Sequence, residues 1–326
     1  MTVVVATLHA GEPFAECLSS LESQTFRDFE TIVVDNSGKH LVAEGGFAKV
    51  IANDANVGFG AAINQAFRAS NSRYLATLND DAVAHPGWLQ ALVAVMESYY
   101  EIGMCASRIL LAGEGRLDSA GMLLCPDGSS KQRGHGESPE RYSRLEETLL
   151  PSGCAAIYRR DMLDEIGLFD ESFFLYCEDT DLGLRARWAA WECRYVPDAM
   201  VDHRYSHSAG KASALKAYHV ERNRLFLCVK NFPASALLRV PFYEFARYAW
   251  HALYAWRGRG AAARFREDGN SSKHLFAYVL RAHFDVLRNW RSLRKRARTA
   301  KRRLTPEQFR RMMRRFAIGP RQVAAL

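Results

Sequence analysis

The sequence predicts an α/β fold: a mostly parallel central sheet with flanking helices, followed by a C-terminal helical, basic extension. Three observations carry this. Strand-like β-branched runs alternate with helix-spaced segments over the first hundred residues. Apolar runs stop at carboxylates, at Asp35, at Asn79-Asp80-Asp81 and at Glu178-Asp179-Thr180-Asp181. Basic residues gather after residue 256.

Thr2 to Thr7 is a β-branched run and reads as a buried strand. Pro13 to Ser23 has helical spacing through Phe14, Cys17, Leu18 and Leu21. Phe29 to Asp35 is a second strand, closed by the turn-forming Asn36-Ser37-Gly38. Val50-Ile51-Ala52 is a short third strand, Gly60 to Ser70 a helix, Tyr74 to Leu78 a fourth strand and Pro86 to Tyr99 another helix. This order implies right-handed βαβ units. Ligands of such sheets bind beyond the carboxyl ends of the strands, where Asp35, Asn56 and Asp81 lie. Glycines accumulate from 101 to 150, and the segment reads as strands and long loops at a site rim. Ile157 to Asp170 reads as helix and turn, Phe173 to Cys177 as strand-like, Cys193 to Val196 as a short strand and Tyr218 to Lys230 as a helix.

A chain of 326 residues with 48% hydrophobic content can bury a sizeable core. Seven scattered cysteines without a CxxC pair argue against a disulfide framework or a zinc site, and for a reducing compartment. The N-terminus lacks the features of a secretory signal. The net charge of +8 hides a division. Residues 257–326 hold 20 Lys and Arg against 4 Asp and Glu, whereas residues 1–256 hold 24 against 32. An acidic body with a basic tail points to a polyanion partner for the tail.

Each candidate site residue has a plainer reading. Asn56-Val57-Gly58-Phe59-Gly60 is a poor dinucleotide fingerprint and equally a loop-to-helix turn. Asp35 could meet a base or ribose, or cap its own turn. Asp80 and Asp81 could hold Mg²⁺ or Mn²⁺, or form an Asx turn. His203 and His207 could add a metal ligand, though a loop histidine is more often a surface residue. Arg222, Asn223 and Arg224 could clamp phosphate, or be a solvated helix face. The acids at 178, 179 and 181 could work on protons, or offset the positive end of a helix dipole.

The order of these segments resembles the inverting glycosyltransferases of family 2, with the GT-A fold, and among them the bacterial rhamnosyltransferase-like members. The resemblance runs from about residue 2 to about residue 232. It rests on Val3-Val4-Val5-Ala6-Thr7, Cys17-Leu18-Ser19-Ser20-Leu21 with Gln24-Thr25, Ile32-Val33-Val34-Asp35-Asn36-Ser37, Asn56-Val57-Gly58-Phe59-Gly60 with Asn64, and Leu78-Asn79-Asp80-Asp81. It continues through Gly167-Leu168-Phe169-Asp170-Glu171, Phe173-Phe174-Leu175-Tyr176, Glu178-Asp179-Thr180-Asp181-Leu182, Tyr195-Val196-Pro197-Asp198-Ala199, His203 and Arg222-Asn223. His9 and Ala190 depart from the pattern; glycine is usual at the second.

The resemblance implies roles. Thr7 and Asp35 would contact the nucleotide. Asn56, Gly58, Asn64 and Asp80 would shape the donor pocket, and Arg222 and Asn223 would meet the diphosphate. Asn79-Asp80-Asp81 stands at the family's Asp-x-Asp element, so Asp81 would hold Mg²⁺ or Mn²⁺, with His203 completing the site. Asp179 would be the catalytic base, with Glu178 and Asp181 as acceptor-side candidates. The donor would be dTDP-rhamnose or a UDP-sugar, and the acceptor a glycan or lipid-linked glycan in cell-surface polysaccharide synthesis.

Two domains are expected, a transferase domain over 1–232 and a helical basic extension over 233–326. Residues 236–256 are aromatic but interrupted by charges, so they fit an interfacial or packed helix better than a span. With the Arg-rich run of 281–315, they suggest an anionic membrane surface as partner rather than nucleic acid, and a cytoplasmic place at the membrane's inner face. Two rival readings are a non-catalytic sugar-nucleotide-binding protein on the same fold and a sugar-nucleotide pyrophosphorylase. The latter needs a glycine-rich basic loop after the first strand, which His9-Ala10-Gly11-Glu12-Pro13 does not supply.

Overall fold

The computed structural model describes residues 1–204, 214–260, 265 and 272–325. It comprises two compact units, Met1–Met122 with Gln132–Ser208, and Leu123–Lys131 with Ala209–Leu326.

The first unit opens with the expected alternation: β1 (Thr2–Thr7), α1 (Glu12–Glu22), β2 (Glu30–Asp35), β3 (Ala48–Ala52), α2 (Phe59–Ala69) and β4 (Tyr74–Leu78). β1 pairs in parallel with β2 and β4, and β2 with β3. All of β4 and nearly all of β1 are buried. Strands covered on both faces read as continuous apolar runs, which is why these were legible. Then follow β5 (Ala82–Ala84), α3 (Trp88–Ser98), β6 (Ile102–Leu111), β7 (Arg116–Ser119) and β10 (Glu146–Glu147), while the separate ribbon of β8 (Met122–Leu124) and β9 (Ser130–Gln132) belongs mostly to the second unit beside its helices. β11 (Ala155–Arg159), α4 (Arg160–Ile166), α5 (Glu178–Trp188) and β12 (Glu192–His203) close the unit.

The main sheet has ten strands, in the order β10-β12-β6-β11-β4-β1-β2-β3, with β5 on β12 and β7 on β6. β11 runs antiparallel to both neighbours, β4 and β6. Ala155, where β11 begins, therefore sits opposite Leu78, where β4 ends. The segment Ser152-Gly153-Cys154 thus enters the sheet at the edge where β4 delivers its acids.

Three local expectations are corrected. Ile157 to Arg159 is strand, not helix, because β11 is buried between two partners and its burial overrides helical spacing. The short strand at 193–196 extends over twelve residues, since β6 and β5 both supply backbone partners. Phe173 to Cys177 is not a strand. A 3₁₀ turn over Glu171–Phe173 leads into Phe174, Tyr176 and Cys177, with φ of +64°, +70° and +66°. Left-handed backbone in three non-glycine residues is costly and persists only where packing holds it. Ala190, where glycine is usual by resemblance, also has a positive φ of +66°. All seven cysteines are buried and none forms a disulfide.

The second unit is helical: α6 (Ala214–Asn231), α7 (Ala234–Leu237), α8 (Val240–Trp256), α9 (Ser272–Thr299), α10 (Pro306–Arg315) and α11 (Pro320–Ala325). A capping box at Thr305 and Gln308 starts α10. α6 packs along α9, and α8 along α11. The centre is ionic. Arg224, fully buried, pairs with Glu221 and Glu244 and donates to the Asp127 carbonyl at 3.0 Å. Arg247 donates to Asp127 Oδ2 at 2.5 Å and to Glu221 Oε2 at 3.0 Å. His283 Nε2 lies 3.0 Å from Glu244 Oε1. Burial opposes the charge on Glu221, and the two arginines outweigh it and hold its pKa well below the usual range.

Removing one partner from such a network leaves buried charge uncompensated. Arg224→Met is expected to cost about 3–5 kcal/mol, read as a lower urea midpoint for loss of the helical signal. A shift under about 1 kcal/mol would show that Arg247 alone satisfies the three acids.

Candidate active site

β4 ends at Leu78 and the chain turns at once: Asn79 N–H donates to the Cys154 carbonyl at 2.8 Å, and Ala82 N–H to the Asn79 carbonyl at 3.1 Å. The turn presents Asp80 and Asp81. Asp80 Oδ2 accepts the Thr7 hydroxyl at 2.7 Å. Burial, with help from the Asp81 charge, raises the Asp80 pKa. Asp81 is buried, and its Oδ1 makes no hydrogen bond. That atom lies 3.3 Å from His203 Nε2. The strand register explains the meeting, because β12 pairs antiparallel with β5 and sets His203 opposite Ala82.

His203 is oriented from behind. Its Nδ1 lies 2.8 Å from Asp118 Oδ2, and Asp118 Oδ1 lies 3.0 Å from His135 Nδ1. Burial disfavours a charged imidazole at 203. The Cys154 sulfur, Asp118 and Asp81 outweigh it and raise the pKa. Burial likewise opposes ionisation of Asp118, yet its two histidines lower its pKa.

The second acidic cluster opens α5. All three acids fall in its first turn, as the dipole argument expects. Their surroundings separate them. Asp179 keeps part of its surface open. Its Oδ2 accepts Gly153 N–H at 3.0 Å, and its Oδ1 accepts Thr180 N–H at 2.6 Å and the Thr180 hydroxyl at 3.1 Å. Burial raises the Asp179 pKa against these donors. Glu178 is buried, and its Oε2 has no hydrogen-bond partner. Burial first, then the Asp179 charge, push its pKa up to about 8. Asp181 is fully buried and pairs with Arg185 at 2.9 Å. Arg185 also donates to the carbonyls of Ile166, Gly167 and Leu168. The Asp181 side chain is held on Arg185 with no surface open to solvent, and the acceptor contact expected of it is a proposal.

The two clusters attach to consecutive residues. Gly153 N–H holds Asp179, and the Cys154 carbonyl accepts Asn79 N–H at the head of the Asp80–Asp81 turn. A Cβ at Gly153 would sit 3.3 Å from Asp179 Cβ, so the backbone and the acid are in close contact. The structure thus brings Asp81, His203, Thr7, Asp80 and Asp179 to one edge of the sheet.

The expected donor-side residues divide. Asn56 Oδ1 accepts Asn36 Nδ2 and Gly58 N–H, each at 2.9 Å, and shapes the loop before α2. Gly58 has a φ of +89°, and a Cβ there would meet the Phe174 carbonyl oxygen at 2.4 Å. Only glycine lets this loop press against the turn that precedes Asp179. Asp35 is fully buried, with Oδ1 accepting Ser37 N–H and Oδ2 accepting Val42 N–H. Both oxygens hold the loop they cap, and the base contact expected of Asp35 is a proposal. Asn64 also has a structural place, and its part in shaping a donor pocket is a proposal. It is buried and stitches α2 to the Phe169 backbone and to Glu171, so it supports the loop from beneath. Arg222 and Asn223 lie on α6 of the second unit. Arg222 stacks over Tyr218 and Phe226, and Asn223 is fully buried. The diphosphate contact expected of this pair is a proposal. His207 lies outside the described residues.

Residues 2–167 match the family model described as glycosyl transferase family 2. The chain belongs to glycosyl transferase family 2. The matched stretch carries Thr7, Asp80, Asp81 and Asp118, and it ends before Asp179 and His203. This glycosyltransferase is similar to an N-acetylglucosaminyl-diphospho-decaprenol L-rhamnosyltransferase of Mycobacterium tuberculosis, at 29% identity over 257 residues, covering 67% of this chain and 81% of the relative. An uncharacterized glycosyltransferase of Bacillus subtilis, YwdF, is 24% identical over 221 residues, 66% of this chain and 77% of its own length. Two solved structures share the GT-A fold at 15% identity. One is GalNAc-T7 with UDP, GalNAc and Mn²⁺, with a TM-score of 0.59 over 89% of this chain; this chain spans 57% of it. The other is a Pyrobaculum calidifontis mannosyltransferase with GDP-Man and Mn²⁺, with a TM-score of 0.54 over 91% of this chain and 83% of that one.

Sequence reasoning missed Asp118 and the Ser152-Gly153-Cys154 segment. A lone carboxylate inside the apolar stretch Leu117 to Leu124 was the available sign of Asp118. Nothing in the sequence marks Gly153, because its role arises from the antiparallel entry of β11.

Glu178 binds its proton more tightly in the fold than in the open chain. The fold then holds more protons than the unfolded chain between the ordinary glutamate range, near 4.5, and about 8, so stability falls as pH rises through that window. Glu178→Gln is expected to flatten this fall in the thermal midpoint. An unchanged pH slope would show that Glu178 is ionised throughout.

Proposed function

We propose that this enzyme transfers a sugar, with rhamnose first among candidates, from a nucleotide-diphosphate donor to a saccharide or lipid-linked saccharide, with inversion, in cell-surface polysaccharide synthesis. The supporting observation is the attachment of Asp179 and of the Asp80–Asp81 turn to the adjacent Gly153 and Cys154. The name of the Mycobacterium relative supports a rhamnosyl donor, such as dTDP-rhamnose, and a lipid-diphosphate-linked acceptor; a UDP-sugar is the next donor.

The acceptor hydroxyl oxygen attacks the anomeric carbon while its proton passes to the Asp179 carboxylate. The bond from that carbon to the diphosphate oxygen breaks, and the nucleoside diphosphate leaves. One displacement inverts the centre. Three donors fix the orientation of Asp179, and its raised pKa makes it a better base than an exposed aspartate. Glu178, neutral at pH 7, adds no second negative charge beside it.

The residues present suit Mg²⁺ or Mn²⁺. Asp81 offers a buried oxygen without a hydrogen bond, facing an imidazole nitrogen whose ring is held by Asp118. Among the described residues no three His, Cys, Asp or Glu converge on a metal position, so donor phosphate oxygens would complete the coordination. A bound cation would offset the charge of the diphosphate leaving group. Two structural neighbours were solved with Mn²⁺, which supports this choice. No helix among the described residues is long and apolar enough to cross a membrane. A peripheral place at the inner face of the cell membrane completes the proposal.

Asp179→Asn is expected to lower transfer by about 10²- to 10⁴-fold with donor affinity retained, in a product assay beside donor calorimetry. Full transfer by a folded variant would remove Asp179 as base, whereas donor binding without any transfer by the wild type would favour the non-catalytic binding protein. Asp118→Asn is expected to weaken Mn²⁺ binding by about tenfold or more, measured by electron paramagnetic resonance of free Mn²⁺. Unchanged Mn²⁺ affinity would place the metal elsewhere.

A further inference from the structure

α9 buries Ala282, Val286, Leu293 and Ala297, which share one side of the helix. The opposite side carries Phe276, Leu280, Phe284 and Leu287, with exposures of 66%, 55%, 65% and 71%. Spaced four, four and three apart, they form one stripe. The stripe continues at helical spacing as Arg291, Arg294 and Arg298, with Lys295 beside it. These four cations lie with Trp290 and Thr299 on one face of the helix. From Val286 to Pro306 the chain has nine Lys and Arg and no Asp or Glu. Arg294 spends one N–H on the Val229 carbonyl at 3.4 Å. The outward face of one helix thus passes from apolar to cationic along its length.

Single exposed apolar residues are ordinary, but a contiguous stripe marks a docking surface. α8 adds to it. The Glu244–His283 ion pair joins α8 to α9, and the next residues in sequence, Phe245 and Phe284, are both exposed. Charge selects the occupant. A second copy pairing this face in parallel would set cations against cations, and in neither direction would it bring an anion to the basic half. A bilayer with anionic headgroups meets both halves, because acyl chains accept the apolar half and phosphates the basic half.

We propose that the outward face of α9 docks on an anionic phospholipid bilayer. Phe276, Leu280, Phe284 and Leu287 enter the boundary between headgroups and acyl chains, and the basic face of Arg291, Arg294, Lys295 and Arg298 meets lipid phosphates. This deepens the membrane placement proposed above and rests on it for the surface concerned. It adds insertion to charge attraction, so neither half alone gives full binding.

The test is flotation of the full chain with vesicles of phosphatidylcholine alone, or with about one third phosphatidylglycerol, beside the variants Phe284→Glu/Leu287→Glu and Arg291→Glu/Lys295→Glu/Arg298→Glu. The wild type is expected to prefer the anionic vesicles by about tenfold or more, and each variant to lose about tenfold or more. Circular dichroism and donor hydrolysis, which do not depend on this face, confirm that the variants fold. Equal wild-type binding to both vesicles overturns the proposal, as does full binding by the Phe284/Leu287 variant. Wild-type dimers that this variant converts to monomers, without vesicle binding, would assign the face to a second copy. RNA binding lost in the triple variant, without vesicle binding, would assign it to nucleic acid. Vesicle binding by a wild type that hydrolyses no donor would sink the catalytic reading and leave this one standing.

Discussion

The hydrogen bond from Gly153 N–H to Asp179 Oδ2 is the contact on which the candidate site depends. It exists because β11 enters the sheet antiparallel, between β4 and β6. A parallel strand there would present its carboxyl end at this edge, and residues 152–154 would lie at the far side. The same reversal places the Cys154 carbonyl at the head of the Asp80–Asp81 turn, where the β12–β5 register has set His203 against Asp81. Two carboxylates almost a hundred positions apart in the chain thus converge through one strand direction.

The environment then divides equal chemistries. Asp80, Asp81, Glu178, Asp179 and Asp181 are all carboxylates near helix starts or strand ends. Asp181 is neutralised by Arg185, and Glu178 is left in an apolar setting that favours its acid form. Asp179 has three donors and an open side, and Asp81 faces an imidazole. Burial is the common cause, and what differs is the partner offered. The left-handed turn at Phe174 to Cys177 belongs to the same arrangement. It lets the Phe174 carbonyl accept Phe59 N–H at 2.8 Å, so the loop before α2 and the start of α5 are held together.

The second unit uses charge in two opposite ways. Inside, Arg224 and Arg247 are matched to Asp127, Glu221 and Glu244, and the pairing tolerates full burial. Outside, α9 carries six cations from Arg288 to Arg298 with no acid in that stretch of chain. Surface charge beside exposed phenyl rings adds little to folding, so its place in the molecule is better explained by what it meets. Of the 20 basic residues in the last 70, 12 fall between Arg291 and Arg315.

By itself the sequence determined the strands and helices whose pattern is local. β1, β2 and β4 announce themselves through β-branched runs covered on both faces, and α1, α2, α3 and α6 through apolar spacing. It also determined the family, through ordered motifs that include Asp81 and Asp179. It misjudged Phe173 to Cys177, because aromatic residues favour strands until tertiary packing imposes a turn. It read Asp35 and Asn64 as donor-side residues, and the structure adds that Asp35 holds its own turn while Asn64 joins α2 to the distant Phe169 backbone. Asp118 and Gly153 matter only through neighbours remote in sequence, so no local pattern could reveal them. Tertiary structure alone decided strand direction at β11, and with it which acids share an edge and which proton each one holds, since pKa depends on through-space burial and partners rather than on order in the chain.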